Sequence, residues 1–226
     1  MNTKLPEAEQ LKLDSRYLRG TIAEGLDDVV TGAISEDDNK LTKFHGSYMQ
    51  DHRDLRDERR RQKLEPLYSF MVRLRIPGGV VTPQQWLGLD EIADDCSNGT
   101  LRITTRQTFQ YHEVLKKDLR SLMQQVNALM LDTKGACGDV NRNVVTNVNP
   151  HQSSVHAEVY QISKAISDHL CWQSGAYAEI WLGEKCVYQQ NLKNRSMVIV
   201  IYRVNLKSVL RFLLKTTAMY WPMILR

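Results

Sequence analysis

Closely spaced cysteines, long apolar runs and nucleotide-binding glycine motifs are all missing from this 226-residue sequence. Each absence removes a class of function. Cys96, Cys137, Cys171 and Cys186 stand far apart with no C-x-x-C pair. Neither structural zinc nor a disulfide framework is expected, and a reducing cytoplasm is the natural compartment. His45, His52, His112, His151, His156 and His169 show no H-x-x-x-H or H-E-x-x-H spacing, so no metal ligand set is expected from them. Without a Gly-x-Gly-x-x-Gly or P-loop, nucleotide binding has no support. Met1–Gln10 is polar and acidic, with no apolar core of a secretory signal. The apolar run Met197–Tyr202 is far too short to span a bilayer, so no membrane partner is expected.

Acidic residues are also missing from one place. Asn191–Arg226 contains seven Lys or Arg and no Asp or Glu, leaving 23 of the 30 basic residues against all 26 acidic ones before it. The basic balance therefore belongs to the tail and is not a nucleic-acid signal. Asp51–Lys63 mixes six basic with four acidic residues, which suits a solvated helix with i,i+4 pairs rather than a one-sided nucleic-acid arm.

What is present divides into stretches of different character. Residues 1–66 are charged and weakly periodic, and they carry too few apolar side chains for a core of their own. They read as an arm wrapped on something larger. Residues 67–134 are sharply patterned. Tyr68–Ile76 alternates Phe70, Val72, Leu74 and Ile76 against Ser69, Met71, Arg73 and Arg75, the period of a strand. Pro77-Gly78-Gly79 turns the chain. Thr82 caps a helix with Pro83 at its first position, which runs through Trp86, Leu89 and Ile92 to Ser97-Asn98-Gly99. Leu101–Val114 alternates again, and Asp118–Met130 places Leu119, Leu122, Val126 and Leu129 on one helical stripe. Strand, helix, strands and helix at these lengths predict an α+β class with a ferredoxin-like half-domain. Residues 135–185, with a helix over Val155–Leu170 and a strand at Ala176–Leu182, start a further unit and do not complete it. That last strand is expected to lack the neighbours that the second half of such a unit would provide.

Arginine at alternating strand positions is the strongest chemical feature. Arg73 and Arg75 fall on one strand face. Arg102, Thr104 and Arg106 fall on another, continued by Thr108 and Gln110, and Arg142 follows. Any one of them reads as a solvated surface residue. As a set interleaved with Thr, Gln and Asn rather than Asp or Glu, they suit a polyanion, because the guanidinium fork matches carboxylates two bonds at a time. His112, three residues beyond Phe109, can face the same pocket.

These residues also carry a resemblance. Tyr17-Leu18-Arg19-Gly20-Thr21-Ile22, Lys43-Phe44-His45-Gly46-Ser47-Tyr48, Arg73-x-Arg75-Ile76-Pro77-Gly78-Gly79, Leu101-Arg102-x-Thr104-x-Arg106-Gln107-Thr108-Phe109-Gln110 and Asp139-Val140-Asn141-Arg142-Asn143 resemble the sulfite/nitrite reductase family, almost continuously to Leu182. Gln50–Arg60 resembles its NADPH-linked branch, which docks on a separate flavoprotein. The resemblance implies the haemoprotein component of an assimilatory sulfite reductase, with a sirohaem bridged to a [4Fe–4S] cluster that reduces sulfite to sulfide with six electrons. It implies that Arg73 and Arg142 hold the anionic substrate. Arg102, Thr104, Arg106, Gln110, His112 and Asn143 would line the sirohaem. Nitrite reduction by the same architecture is the neighbouring expectation.

After Glu184-Lys185 the resemblance stops. The family continues with Tyr-Leu-Pro-Arg-Lys-Phe-Lys, whose lysines complete the substrate pocket, and later supplies four cluster cysteines. Neither is found here, so the cluster ligands are absent from this chain. Read from the third base of each codon, with permitted codons, Asn191–Leu225 can encode Pro-Glu-Glu-Pro-Ile-Tyr-Gly-Asp-Ser-Tyr-Leu-Pro-Arg-Lys-Phe-Lys and an in-register continuation. Residues 186–226 are therefore expected to be an out-of-frame tail. The polypeptide is expected to be truncated and inactive alone, binding no cluster and little sirohaem. A non-catalytic fragment that still contacts a partner subunit through residues 1–66 is the alternative.

Overall fold

The computed structural model describes residues 6–138, 140–147 and 149–172, together with the backbone of two strands, Glu179–Leu182 and Lys185–Gln189. In chain order the elements are α1 (Glu7–Asp14), α2 (Ile22–Asp27), α3 (Glu36–Thr42), β1 (Ser47–Asp51), α4 (Arg53–Arg61), β2 (Tyr68–Arg73), α5 (Pro83–Cys96), β3 (Leu101–Ile103), β4 (Phe109–Val114), α6 (Lys116–Ala128), α7 (Ser154–Leu170), β5 (Glu179–Leu182) and β6 (Lys185–Gln189). The class is α+β, as the period changes require.

The main sheet is antiparallel with strand order β1-β2-β4-β3. Phe70, Val72, Leu74 and Ile76 from β2 and its extension meet Leu89 and Ile92 of α5 and Leu119, Leu122 and Val126 of α6 in one core. Burying such side chains contributes roughly 1.5–3 kcal/mol each. Thr82 accepts from the Gln85 backbone N–H while Gln85 Oε1 accepts from the Thr82 N–H, so α5 starts on a full capping box.

Three features differ from the sequence expectation. The alternation over Leu101–Val114 is not one strand. Thr104 N–H donates to the Thr108 carbonyl and Gln107 N–H to the Thr104 carbonyl, closing a hairpin between β3 and β4 with Gln107 at φ +53°. Residues 101–103 and 109–114 lie side by side, Arg102 opposite Gln110. Second, the stretch read as an arm supplies β1, which fills one edge of the sheet against β2. Lys116 Nζ donating to the Ala33 carbonyl and the Arg120–Asp27 ion pair, 2.9 Å, tie that stretch to α6. Third, β5 has a neighbour after all, since Lys185–Gln189 pairs with it antiparallel. Cys186, Val187 and Tyr188 are strand-prone residues, and only two residues separate the two strands, so a hairpin forms locally. Ala176, Tyr177 and Ala178 of the expected strand, and residues 190–226 of the tail, lie outside the described residues.

A second, smaller core holds Leu18, Leu41, Phe44 and Trp172. It joins the first helices to the end of α7. His45 is half-buried there, its Nε2 2.8 Å from the Leu18 carbonyl and its ring edge-on to Trp172. Among the described residues no helix is long and apolar enough to cross a membrane.

Candidate functional site

The site begins with the turn after β2. Asn143, buried, accepts from the Ile76 N–H at 2.8 Å and donates Nδ2 to the carbonyls of Ile76 and Arg106 at 2.8 and 2.7 Å. Gln107 repeats the device one residue on: Nε2 donates to the Thr146 carbonyl and Oε1 accepts the Thr146 N–H. These two amides pin the 140–147 loop to the β3–β4 hairpin, which fixes Arg142 relative to Arg106. Thr104 Oγ1 accepts from the Arg106 N–H at 3.2 Å and holds the hairpin tip. Asn143 thus spends its amide on backbone, as a positioning residue.

Arg73, at the end of β2, and Arg142, on the pinned loop, line one cavity of about 430 Å³. Lys12, Lys40 and Lys43 line it as well, with Phe44, Tyr48, Cys137 and Gly138. Among the described residues no carboxylate lines it, although Glu9 pairs with Lys12 and Asp37 with Lys40. The Asp37 hydrogen bond holds the Lys40 ammonium above its ordinary pKa. The Cys137 thiol is pushed up by burial, against the pull of Arg73, Arg142 and Lys43, so it is neutral at pH 7. Sequence reasoning had found Arg73 and Arg142. It missed the lysines, because Lys12 reaches the cavity only through the packing of α1, while Lys43 at least stood inside a quoted motif.

A hydrogen-bond chain runs from Arg73 across the sheet. Its Nε and Nη2 donate to Gln110 Oε1 at 3.2 and 3.0 Å, and Gln110 Nε2 lies 2.8 Å from His112 Nε2. Tyr111 and Val114 both point into the core, because β4 bulges at His112-Glu113, with Glu113 at φ +58°. The bulge leaves Gln110 and His112 on the face opposite that core. Burial first, then Arg102 and Arg73, lower the His112 pKa.

The five arginines do not share one fate. Arg75 is bidentate to Asp132, at 3.0 and 2.8 Å, and reaches Asp168 and Ser167 of α7 at 3.2 Å. The Asp132 bond holds its pKa well above the ordinary guanidinium value. It is a strut. Arg73, Arg102, Arg106 and Arg142 meet no carboxylate among the described residues, and Arg102 and Arg106 are exposed. Unpaired guanidiniums around one sheet edge and one cavity are an anion-binding arrangement.

Residues 61–129 match the model of the nitrite/sulfite reductase ferredoxin-like half domain. The chain is 61% identical over 184 residues to the sulfite reductase [NADPH] hemoprotein beta-component of Oceanobacillus iheyensis, covering 81% of this chain and 32% of that one. Over these residues the chain is similar to the sulfite/nitrite reductase family. The corresponding component of a Shewanella species is 58% identical over 183 residues, covering 80% of this chain and again 32% of the relative. The chain spans about a third of the length of the curated relatives it matches. The Mycobacterium tuberculosis NirA protein shares the fold, with a TM-score of 0.55 at 22% identity over 75% of this chain and 32% of NirA.

Proposed function

We propose that residues 1–185 are the N-terminal part of the haemoprotein component of an NADPH-linked, cytoplasmic sulfite reductase, and that residues 186–226 are translated out of frame. The observation that carries the first half is the contrast among the arginines: Arg75 is saturated by Asp132 and Asp168, whereas Arg73, Arg102, Arg106 and Arg142 meet no acid partner among the described residues.

Sirohaem bears many carboxylates, and the donor set fits its edge. Exposed Arg102 and Arg106 would bind carboxylates, with Thr104, Gln110 and His112 beside them and Asn143 fixing the hairpin that carries Arg106. When bound, sirohaem would supply the redox-active centre that passes electrons, delivered by the flavoprotein, to the anion. An iron–sulfur cluster does not fit the described residues: no three His, Cys, Asp or Glu side chains come together among them.

The chain's own part is to seat the anion. Arg73 spends Nε and one Nη2 proton on Gln110 and one Nη1 proton on the Ala136 carbonyl, which leaves one proton on each Nη for an anion, and Arg142 lines the same cavity from the pinned loop. Two preorganised guanidiniums out of bulk water favour sulfite and the charge that builds as its S–O bonds break. Residues 1–66 would contact the flavoprotein that delivers electrons.

A chimera tests this reading. Residues 1–185 replace the matching part of the Oceanobacillus iheyensis haemoprotein, and sirohaem absorption and sulfite reduction are followed. The chimera should bind sirohaem and turn over sulfite. Arg73→Ala or Arg142→Ala should lower kcat/KM by roughly 100-fold, the worth of about 3 kcal/mol of charge-assisted bonding. A sirohaem-loaded chimera indifferent to both substitutions would exclude the assignment.

A further inference from the structure

Gln110 stands between two groups with opposite demands. Arg73 has only donors to offer, so its two bonds to Oε1 fix the Gln110 amide with oxygen toward β2. The NH₂ group then faces His112 Nε2 at 2.8 Å, and a nitrogen that receives a proton cannot also carry one. His112 is thereby held neutral, with its proton on Nδ1.

We propose that Gln110 is a positioning residue that couples the protonation of His112 to the placement of Arg73. An imidazolium carries a proton on Nε2 and needs an acceptor there. Gln110 Oε1, the other end of the amide already in contact, can turn to supply it, and turning the amide presents its NH₂ to the guanidinium. Both Arg73–Gln110 bonds are lost, and only the long Nη1 bond to the Ala136 carbonyl, 3.4 Å, still holds the guanidinium on the cavity wall. The charged groups facing His112 are Arg102 from β3, Arg73 from β2 and Glu113 on its own strand. The two cations resist the added charge and Glu113 favours it, so the switch lies at mildly acidic pH. That Arg73 serves anion binding rests on the reading above; the coupling itself does not.

The test uses the full chain labelled with ¹⁵N. At pH 8, NMR should show His112 in the Nδ1–H tautomer and a protected Arg73 Nε–H. That protection should vanish in step with the titration of His112 below its ordinary value of 6.5. An Nε2–H tautomer at pH 8, or an Arg73 signal indifferent to the His112 titration, would overturn the proposal. Nitrite, whose charge is constant over this range, is the binding probe. Its affinity should fall about tenfold across the same titration, the effect of roughly one charge-assisted bond. In His112→Phe the affinity should be flat with pH, and an unchanged fall would count against the coupling. If the NMR signals move together but nitrite binds at no pH, the coupling stands and the anion-site reading fails.

Discussion

Arg75 and His45 are polar side chains whose duty is to hold elements together, and both make checkable demands. Arg75→Ala removes the bonds that join Asp132 and α7 to the end of β2. Because Asp132 and Asp168 can recover water, the expected loss is about 2–3 kcal/mol rather than the full cost of breaking an enclosed pair. Urea unfolding measures it, and an unchanged midpoint would show that the strut is dispensable. His45 is half-buried beside Trp172, and its desolvation, with Arg19 and Lys134 nearby, lowers its pKa. A depressed histidine pKa means the unfolded chain binds the proton more readily. The stabilisation is complete above pH 6.5 and is lost as pH falls through the lower folded pKa. Tm should therefore drop between pH 7.5 and 5.5. In His45→Asn the drop should be shallower, with the remainder belonging to His112, which shifts in the same direction.

At the scale of elements, the turn that launches β1 is the least tolerant joint. Gly46 has φ +84°, and a Cβ there would lie 2.1 Å from the Thr133 carbonyl oxygen. Gly46→Ala therefore combines left-handed strain with a backbone clash, and should cost at least about 3 kcal/mol by thermal or urea unfolding. Near-native stability would mean that the 131–135 segment yields freely. The elements themselves were legible wherever one period ran uninterrupted: α5 from its Thr82 cap, α6 from its Leu119–Val126 stripe, and β2 from Phe70 to Ile76. The hairpin at Thr104–Thr108 was not, because Arg102, Thr104, Arg106, Thr108 and Gln110 keep a period of two straight through the turn. Nor was β1, since Ser47–Asp51 carries little apolar pattern and is a strand because β2 offers it an edge. The site was legible to the extent that chemistry is local. Arg73 and Arg142 could be named from the sequence, whereas Lys12 and the division of labour between Arg73 and Arg75 depend on where the acids fall in space.

For the molecule as a whole, the contrast between residues 1–185 and the stretch beyond them decides what a purified sample will do. The first stretch builds two cores and a paired sheet from residues whose patterns agree with their places. Residues 191–226 have no acidic side chain, and runs such as Met197–Tyr202 and Val209–Leu214 have the composition of aggregation-prone segments. If that stretch is read out of frame, its side chains were never selected to pack against the rest, and removing it costs the core nothing. Deleting residues 190–226, which leaves β6 intact, should raise soluble yield several-fold and leave the urea midpoint of the described core within about 0.5 kcal/mol. A loss of several kcal/mol on deletion would mean that the tail packs and was selected to do so. Resequencing the gene across codons 180–230 supplies the genetic counterpart. A single base found to be missing near codons 185–186 would, once put back, recover the hidden Tyr-Leu-Pro-Arg-Lys-Phe-Lys segment, whose lysines complete the substrate pocket in the family the sequence resembles.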